Sequence, residues 1–302
     1  MAARGGAGRG PSRAHPGRPR DLRARGPTGR TEEAVVNRLL RTVFLTLVGL
    51  FIVAPLIVIL VASVSTDEAL SGLPSGFTTR WLSEALANDQ FQVGFAYSIR
   101  VAAIATAWAV VLGTSAAYAI HRFDVPGKSL LRAVFIAPLS LPRVVAGFCF
   151  FVLYASLVPA AYGTVGGVAF AHVLLLLPFV VSLVGAGLAN LDPELEEAAR
   201  DLGATPWQAF LRVTLPRIRV SVIIAAVFGF LTSFDEVDLS VFLMPADTTT
   251  LPVAIFLRLQ QNQDPVTSAV SSLMIVGSLA LTGLVALAVR RAGLFATRKE
   301  RM

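Results

Sequence analysis

The chain contains 302 residues, of which 55% are hydrophobic and only 15% are charged, and its formal net charge at pH 7 is +7. This composition excludes an ordinary soluble domain, in which about a quarter of the residues carry charge. The single cysteine, Cys149, excludes a disulfide framework and a cysteine-based metal site. Because apolar residues are so abundant and charged ones so few, we expect an integral membrane protein.

The first predicted element is a basic tail, residues 1–41. It holds ten Lys and Arg residues against three acidic ones, whereas the rest of the chain is balanced, so the tail carries the whole net charge. Its abundance of Gly, Pro and Arg without apolar periodicity predicts disorder. Binding of nucleic acid or anionic lipid is one reading of this charge, but the pattern is more typical of a solvated leader that holds the N-terminus in the cytoplasm. We therefore expect no nucleic-acid partner.

Six apolar segments follow, and each is long enough for a helix to cross the roughly 30 Å hydrocarbon layer of a membrane. His172 is the one ionisable residue of the fourth, and we expect it to be a hydrogen-bonded packing residue rather than a ligand. Acidic residues interrupt the fifth segment. The sequence predicts an all-α membrane protein with six transmembrane helices, at residues 43–64, 98–120, 133–158, 165–188, 219–244 and 266–289.

Basic residues are concentrated in alternate connections between these spans. Residues 1–41, 122–132, 200–219 and 290–301 together hold 22 of the 26 Lys and Arg residues. Positively charged connections generally remain on the cytoplasmic side of a membrane. Both termini and the connection between the fourth and fifth spans are therefore predicted to be cytoplasmic.

That connection is predicted to form two short helices within residues 192–216. Asp192 before Pro193 is typical of a helix N-cap followed by proline at the first helical position. Three glutamates then place negative charge near the positive end of the helix dipole. Gly203 can adopt the left-handed conformation that closes the first helix.

The second short helix has its own start and stop signals. Thr205 and Gln208 have the spacing of a capping box, and Leu215-Pro216 is expected to end the helix. Two capped helices that meet at a glycine corner would form a compact, rigid knuckle.

The same segment carries a motif at fixed spacing: Glu197-Ala198-Ala199, Gly203, Val213 and Leu215-Pro216. It resembles the EAA loop of the permease subunits of ATP-binding-cassette importers, with Val213 where isoleucine is usual. The resemblance extends over about residues 98–289 and implies the type I importer fold. It also implies which residues couple the chain to an ATPase, namely Glu197, Ala198, Ala199, Gly203, Leu215 and Pro216.

The resemblance implies several partners as well. Two nucleotide-binding ATPase subunits, a second permease subunit that is expected to be a paralogue, and an extracytoplasmic solute-binding protein would form the working complex. Its location would be the inner membrane of a bacterium, in contact with lipid.

Catalytic motifs are absent from the sequence. Gly127-Lys128-Ser129 ends like a phosphate-binding loop, but Arg122 stands where the first glycine of that loop is needed. We also find no hydrolase or metalloprotease motif. The chain is therefore expected to be a non-catalytic subunit without a cofactor or a metal.

Acidic residues in the fifth predicted span are candidates for the translocation pathway. Asp235 lies 16 residues beyond Arg219, or about 24 Å along a helix, and Glu236 and Asp238 follow it. Charges at that depth are expected to face a water-filled cavity or a partner. Asp235 and Asp238 would lie on adjoining faces of the helix, with Thr232 below them. Alternatively, the helix ends here and the acids lie at the wet interface or stabilise a turn.

Two further segments, Ser233-Phe234-Asp235-Glu236 and Thr250-Leu251-Pro252, are similar to the spermidine/putrescine-type branch of these permeases. That resemblance implies a small cationic organic substrate such as a polyamine.

Arg143 in the third span does not suit a cationic substrate. An arginine at that depth needs an anion, which could be Asp235, Asp238 or the substrate itself. A structural ion pair is the commoner reason for such a residue. Arg143 nevertheless leaves zwitterionic or anionic substrates open, such as aminophosphonates or opines.

Two other functional classes share some of these features. A secondary transporter would also bury acidic residues, but many such folds show two matching halves, and we find no internal repeat in the sequence. A structural or signalling protein could use the knuckle only to bind a partner.

Overall fold

The computed structural model describes residues 27–67, 74–124, 126–245, 248–261 and 264–291, with side chains from residue 37 onwards. Within these ranges the chain is helical, and the only β-type pairing is an isolated bridge between Ser65 and Phe77. The helices are α1 Pro27–Ala62, α2 Arg80–Ala87, α3 Asp89–Arg122, α4 Lys128–Ile136, α5 Arg143–Leu157, α6 Val165–Ala189, α7 Glu194–Asp201, α8 Pro206–Ala209, α9 Leu215–Phe234, α10 Ser240–Leu243, α11 Leu251–Gln261 and α12 Pro265–Arg291.

The number and length of the helices agree with the six predicted spans. Within the described ranges, five helices are long and apolar enough to cross a membrane, and the bent pair Lys128–Ser140 and Arg143–Leu157 makes a sixth if it is counted as one span. The all-α, multi-span fold class is therefore confirmed. The five unbroken candidates are Asn37–Ala62, Asp89–Arg122, Val165–Ala189, Pro206–Phe234 and Pro265–Arg291.

The third predicted span, residues 133–158, is not one helix. Its two halves meet at an angle of 101°. Leu141, which precedes Pro142, has the extended dihedral angles φ −89° and ψ 129°, because a residue before proline is disfavoured from the helical region. Pro142 also has no N–H group to continue the helical ladder. The prediction of a continuous helix was therefore wrong.

The chain divides into two compact units, Met1–Ala54 and Pro55–Met302. In the first unit, α1 begins at Pro27, so the predicted disordered tail does not extend to residue 41. Residues 30–41 include good helix formers that run directly into the apolar span, and a helix already nucleated there propagates at little cost. The remainder of the predicted tail, residues 1–26, lies outside the described residues.

The core of the second unit forms where α3, α6 and α9 pack together. Along α3, small residues recur every four positions at Ala105, Ala109, Gly113 and Ala117, and all four are buried. A Cβ atom at Gly113 would lie 2.7 Å from the Val180 side chain on α6. Small side chains of this kind let membrane helices approach closely, and α3, α6 and α9 each carry residues of the two sites described next.

Candidate functional site

The first candidate site is the knuckle, residues 192–216. The Asp192 carboxylate accepts a hydrogen bond of 3.0 Å from the N–H of Glu194 and so caps the start of α7. At the other end of α7, Gly203 has φ +90°. The N–H of Ala204 donates to the carbonyl oxygen of Ala199 at 3.0 Å, which is the bond expected of a left-handed glycine corner. The predicted corner is confirmed.

The second helix of the knuckle begins as predicted but ends differently. Thr205 and Gln208 form the complete reciprocal capping box. The chain then passes through a π-helical segment, Phe210–Thr214, and continues directly into α9. The prediction that Pro216 ends this helix was wrong. The wider π-helical turn makes room for a proline, which lacks an N–H and would otherwise crowd the preceding turn.

One acid of the knuckle is buried among three structural elements. Glu196 accepts hydrogen bonds from the Tyr118 hydroxyl at 2.9 Å, from Nε of Arg122 at 3.1 Å and from the Thr214 hydroxyl. The Glu196 and Arg122 side chains are each only 10% exposed. Arg122 also donates to the carbonyl oxygen of Leu191 at 3.2 Å. We call Tyr118, Arg122, Glu196 and Thr214 the Glu196 cluster.

The outer face of the knuckle is exposed and partly apolar. Glu197 and Ala198 are exposed, and so are two large apolar side chains, Leu202 at 91% and Trp207 at 66%. Trp207 stacks on Phe210 with the ring centroids 5.6 Å apart, so its indole ring has a fixed support. Large apolar side chains that are exposed beside polar residues suit contact with another protein.

The second candidate site lies where the fifth predicted span breaks. α9 ends at Phe234, residues 235–239 are not helical, and the short α10 follows. The predicted helix over residues 219–244 is therefore interrupted, and Asp235 and Asp238 do not share a helical face. The alternative prediction, that the helix ends at the acidic residues, agrees with the structure.

Glu236 is the acid that faces inward at this break. Its side chain is fully buried, and it accepts bonds of 2.8 Å from Nη1 of Arg143 and 3.0 Å from the N–H of Leu239. The Arg143 side chain is 42% exposed. Arg143 thus forms the structural ion pair that was expected as the commoner alternative to binding a solute, but the expectation that Asp235 or Asp238 would be the acidic partner was wrong. Because residues 235–239 leave the helix, Glu236 turns inward while Asp235 and Asp238 stay exposed.

His172 holds the two ends of the break together. Its ring is fully buried on α6, with Nδ1 2.7 Å from the Ser233 hydroxyl and Nε2 2.9 Å from the Ser240 hydroxyl. One serine precedes the non-helical segment and the other begins α10. The prediction that His172 is a hydrogen-bonded packing residue is confirmed.

The remaining predicted pathway residues surround the break. Thr232 is half-buried on the last turn of α9. The N–H of Asp235 donates to the carbonyl oxygen of Leu231 at 3.0 Å, but the side chains of Asp235 and Asp238 make no hydrogen bond or ion pair within the described part of the chain. In those same ranges no group of three His, Cys, Asp or Glu side chains is placed to hold a metal ion. Cys149 is exposed on α5.

Sequence reasoning missed the long-range partners at both sites. It treated Glu196 only as one of three charges near a helix dipole, and it did not pair Arg143 with Glu236. Arg122 and Glu196 are 74 residues apart, and Arg143 and Glu236 are 93 residues apart. No local spacing connects residues so distant in the chain.

Known proteins share both the sequence pattern and the fold. Residues 109–293 match the family described as binding-protein-dependent transport system inner membrane component. The chain is 31% identical to the putrescine transport system permease protein PotI of Escherichia coli K12, over 83% of this chain and 91% of that protein. It is 34% identical to the putative 2-aminoethylphosphonate transport system permease protein PhnV of Salmonella paratyphi A, over 76% and 83% respectively.

A solved structure supports the same fold. The bacterial alginate ABC transporter, crystallised in complex with an alginate pentasaccharide-bound periplasmic protein, contains a chain that superposes with a TM-score of 0.69. The match covers 87% of this chain and 96% of that one, at 16% sequence identity.

Proposed function

We infer the role of each site from the premise that this chain belongs to the family of binding-protein-dependent transport system inner membrane components. It is a multi-pass inner membrane protein and a non-catalytic permease subunit of an ATP-binding-cassette importer, in which a separate ATPase hydrolyses ATP. What remains to be assigned is how the knuckle and the break in the fifth span contribute to transport.

The knuckle is the segment that receives motion from the ATPase. Its exposed face, with Glu197, Ala198, Leu202 and Trp207, has the mixed apolar and polar character of a protein contact. Basic residues at 200, 212, 217 and 219 favour a cytoplasmic location, where an ATPase is available. This orientation, with both termini cytoplasmic, is part of the proposal.

The assembly that follows has two ATPase subunits, one for each of two permease subunits, and an extracytoplasmic binding protein. The second permease is proposed to be a paralogue. ATP binding would close the ATPase dimer and draw the two knuckles together. The permease pair would then change from inward-open to outward-open, and the binding protein would release its solute into the cavity.

The break in the fifth span forms part of the solute pathway. The observation that carries this assignment is the pairing of Arg143 with Glu236 at 2.8 Å, which neutralises both charges within the protein. The exposed charge at the break is then that of Asp235 and Asp238. Two carboxylates in a partly apolar setting favour a cation, so we propose a small cationic organic solute such as a polyamine, with Thr232 as a neighbouring hydrogen-bonding group.

A second candidate is a zwitterionic aminophosphonate. The Arg143 side chain is 42% exposed, and within the described residues only its Nη1 makes a hydrogen bond. Its remaining N–H groups could bind a phosphonate while Asp235 or Asp238 binds the amine. The 34% identity to PhnV supports this candidate.

We expect the double substitution Asp235→Asn and Asp238→Asn to reduce uptake of a cationic solute. Losing hydrogen bonds from a cation to two carboxylates should lower uptake by at least about tenfold. The measurement is ATP-driven uptake of radiolabelled putrescine into proteoliposomes that contain the complete transporter, with its binding protein outside, and 2-aminoethylphosphonate is assayed in parallel.

Asp89→Asn is the matched control, because Asp89 is an exposed acid on a different helix, in the first turn of α3. Uptake at the wild-type rate by the double variant would show that Asp235 and Asp238 do not belong to the pathway. Uptake that followed the membrane potential rather than internal ATP would contradict the importer and favour a secondary transporter.

A further inference from the structure

We propose that Glu196 is a positioning residue for ATPase coupling, because it joins α7 to α3 and to the π-helical segment that leads into α9, so that these elements move as one body. The inference rests on the proposed role of the knuckle and adds to it. Without such a connection, α7 could move with the ATPase while the membrane helices stayed in place.

The first support is that α7 has no other anchor of this kind. All eight residues of α7 are described, and Glu196 is the only buried one. A helix of eight residues is too short to be stable by itself in water. The position of α7 therefore depends on tertiary contacts, and the buried contact is made by the carboxylate of Glu196.

The second support is that both carboxylate oxygens of Glu196 are engaged by different elements. Oε2 accepts from Tyr118 on α3, while Oε1 accepts from Arg122 at the end of α3 and from Thr214 in the π-helical segment. α3 and α9 are two of the helices that form the core of the second unit. A displacement of α7 is thus transmitted through one side chain to α3 and to the π-helical segment, which continues directly into α9.

The third support is that Arg122 holds the entry to the knuckle as well. Its Nη2 donates to the carbonyl oxygen of Leu191, just before α7, while its Nε donates to Glu196 within α7. A guanidinium group presents several N–H donors in a rigid plane, so the two bonds fix the entry and the first turn of α7 relative to each other. Aromatic packing adds to this, since Tyr118 lies 4.7 Å from Phe210 between ring centroids.

The conservative test is Glu196→Gln in the complete transporter. The amide keeps the size of the side chain, but its NH₂ group cannot accept a hydrogen bond from Arg122 or from Tyr118. We expect ATP hydrolysis to continue, while solute transported per ATP hydrolysed falls by at least about tenfold, as expected when hydrogen bonds to a buried charged group are lost. Asp124→Asn is the matched control, because Asp124 is an exposed acid just after α3 and outside the knuckle.

A distance measurement tests the rigid attachment independently of transport. In a Cys149→Ser background, Ser115→Cys on α3 and Asp201→Cys on α7 supply two exposed positions for spin labels. With Glu196 present, we expect one narrow distance distribution that does not change when nucleotide binds. With Glu196→Gln, the distribution should broaden.

The outcomes separate the two proposals. An unchanged ratio of transport to hydrolysis in Glu196→Gln, or a distance distribution as narrow as in the parent, would overturn the role of Glu196. A different result would refute the knuckle as the coupling element. In that case the distance distribution is narrow in the parent and broad in Glu196→Gln, as expected, but substitutions at Glu197 and Gly203 leave uptake unchanged.

Discussion

Replacing Arg143 with alanine should destabilise the protein by about 3 kcal/mol, because it leaves the carboxylate of Glu236 buried without a cationic partner. Glu236 is fully buried and would retain only the N–H of Leu239. The cost lies at the lower end of the range for a broken buried ion pair, because Arg143 is 42% exposed and water can enter its place. Thermal or denaturant unfolding of the purified protein in detergent measures the change.

The reverse substitution should be milder, and this asymmetry is the sharper test. Glu236→Gln leaves Arg143 unpaired, but a half-exposed guanidinium is solvated, and the glutamine oxygen can still accept from Leu239. We expect a loss of about 1 kcal/mol. The double variant Arg143→Ala with Glu236→Gln should be more stable than Arg143→Ala alone, since no buried charge remains. Arg132→Ala, at an exposed arginine on α4, is the control.

A larger loss of stability for Glu236→Gln than for Arg143→Ala would show that the buried charge of Glu236 is not what makes the ion pair important. The pathway assignment would then lose its basis, because Arg143 would be available to a solute and the exposed charge at the break would no longer be that of two carboxylates.

The features that sequence reasoning predicted correctly are those set by neighbours in the chain. The apolar runs required helices of membrane-spanning length, and the caps at Asp192 and Thr205 and the corner at Gly203 depend on residues within a few positions of one another. Prolines were harder to interpret. Pro142 breaks a span that looked continuous, whereas Pro216 is accommodated beside a π-helical turn.

Ion pairs at the two sites could not be predicted in the same way. The partner of Arg143 depends on how α5 approaches the break, where a Cβ atom at Gly147 would lie 2.9 Å from the carbonyl oxygen of Leu239. Which acid turns inward depends in turn on where α9 unwinds. Both are consequences of packing between distant segments, and an expectation based on helical spacing selected Asp235 and Asp238 instead of Glu236.

Replacing Gly203 with valine should uncouple ATP hydrolysis from transport. Gly203 has φ +90°, and a Cβ atom there would have no heavy atom within 4 Å. The cost is therefore backbone strain rather than a clash, about 1–2 kcal/mol for an L-residue and more for a β-branched one. The chain can relieve this strain by opening the corner, which breaks the bond from Ala204 to Ala199 and rotates α8 away from α7.

We expect uptake by the Gly203→Val transporter to fall by about tenfold or more, since a change of about 1.4 kcal/mol is tenfold, while the ATPase subunits still bind and hydrolyse ATP. Gly203→Asn should retain most of the uptake, because asparagine tolerates the left-handed conformation. Uptake and hydrolysis measured on the same proteoliposomes give the coupling ratio directly.

Gly127 provides a matched control for the backbone strain at Gly203. It has φ +77°, and a Cβ atom there would likewise have no heavy atom within 4 Å, but Gly127 precedes α4 and lies outside the knuckle. Gly127→Val therefore imposes similar strain without altering the corner. If the two valine variants lose uptake equally, the loss reflects stability; if Gly203→Val transports at the wild-type ratio, the corner is not needed for coupling. A loss confined to Gly203→Val requires that the angle between α7 and α8 itself transmits the motion.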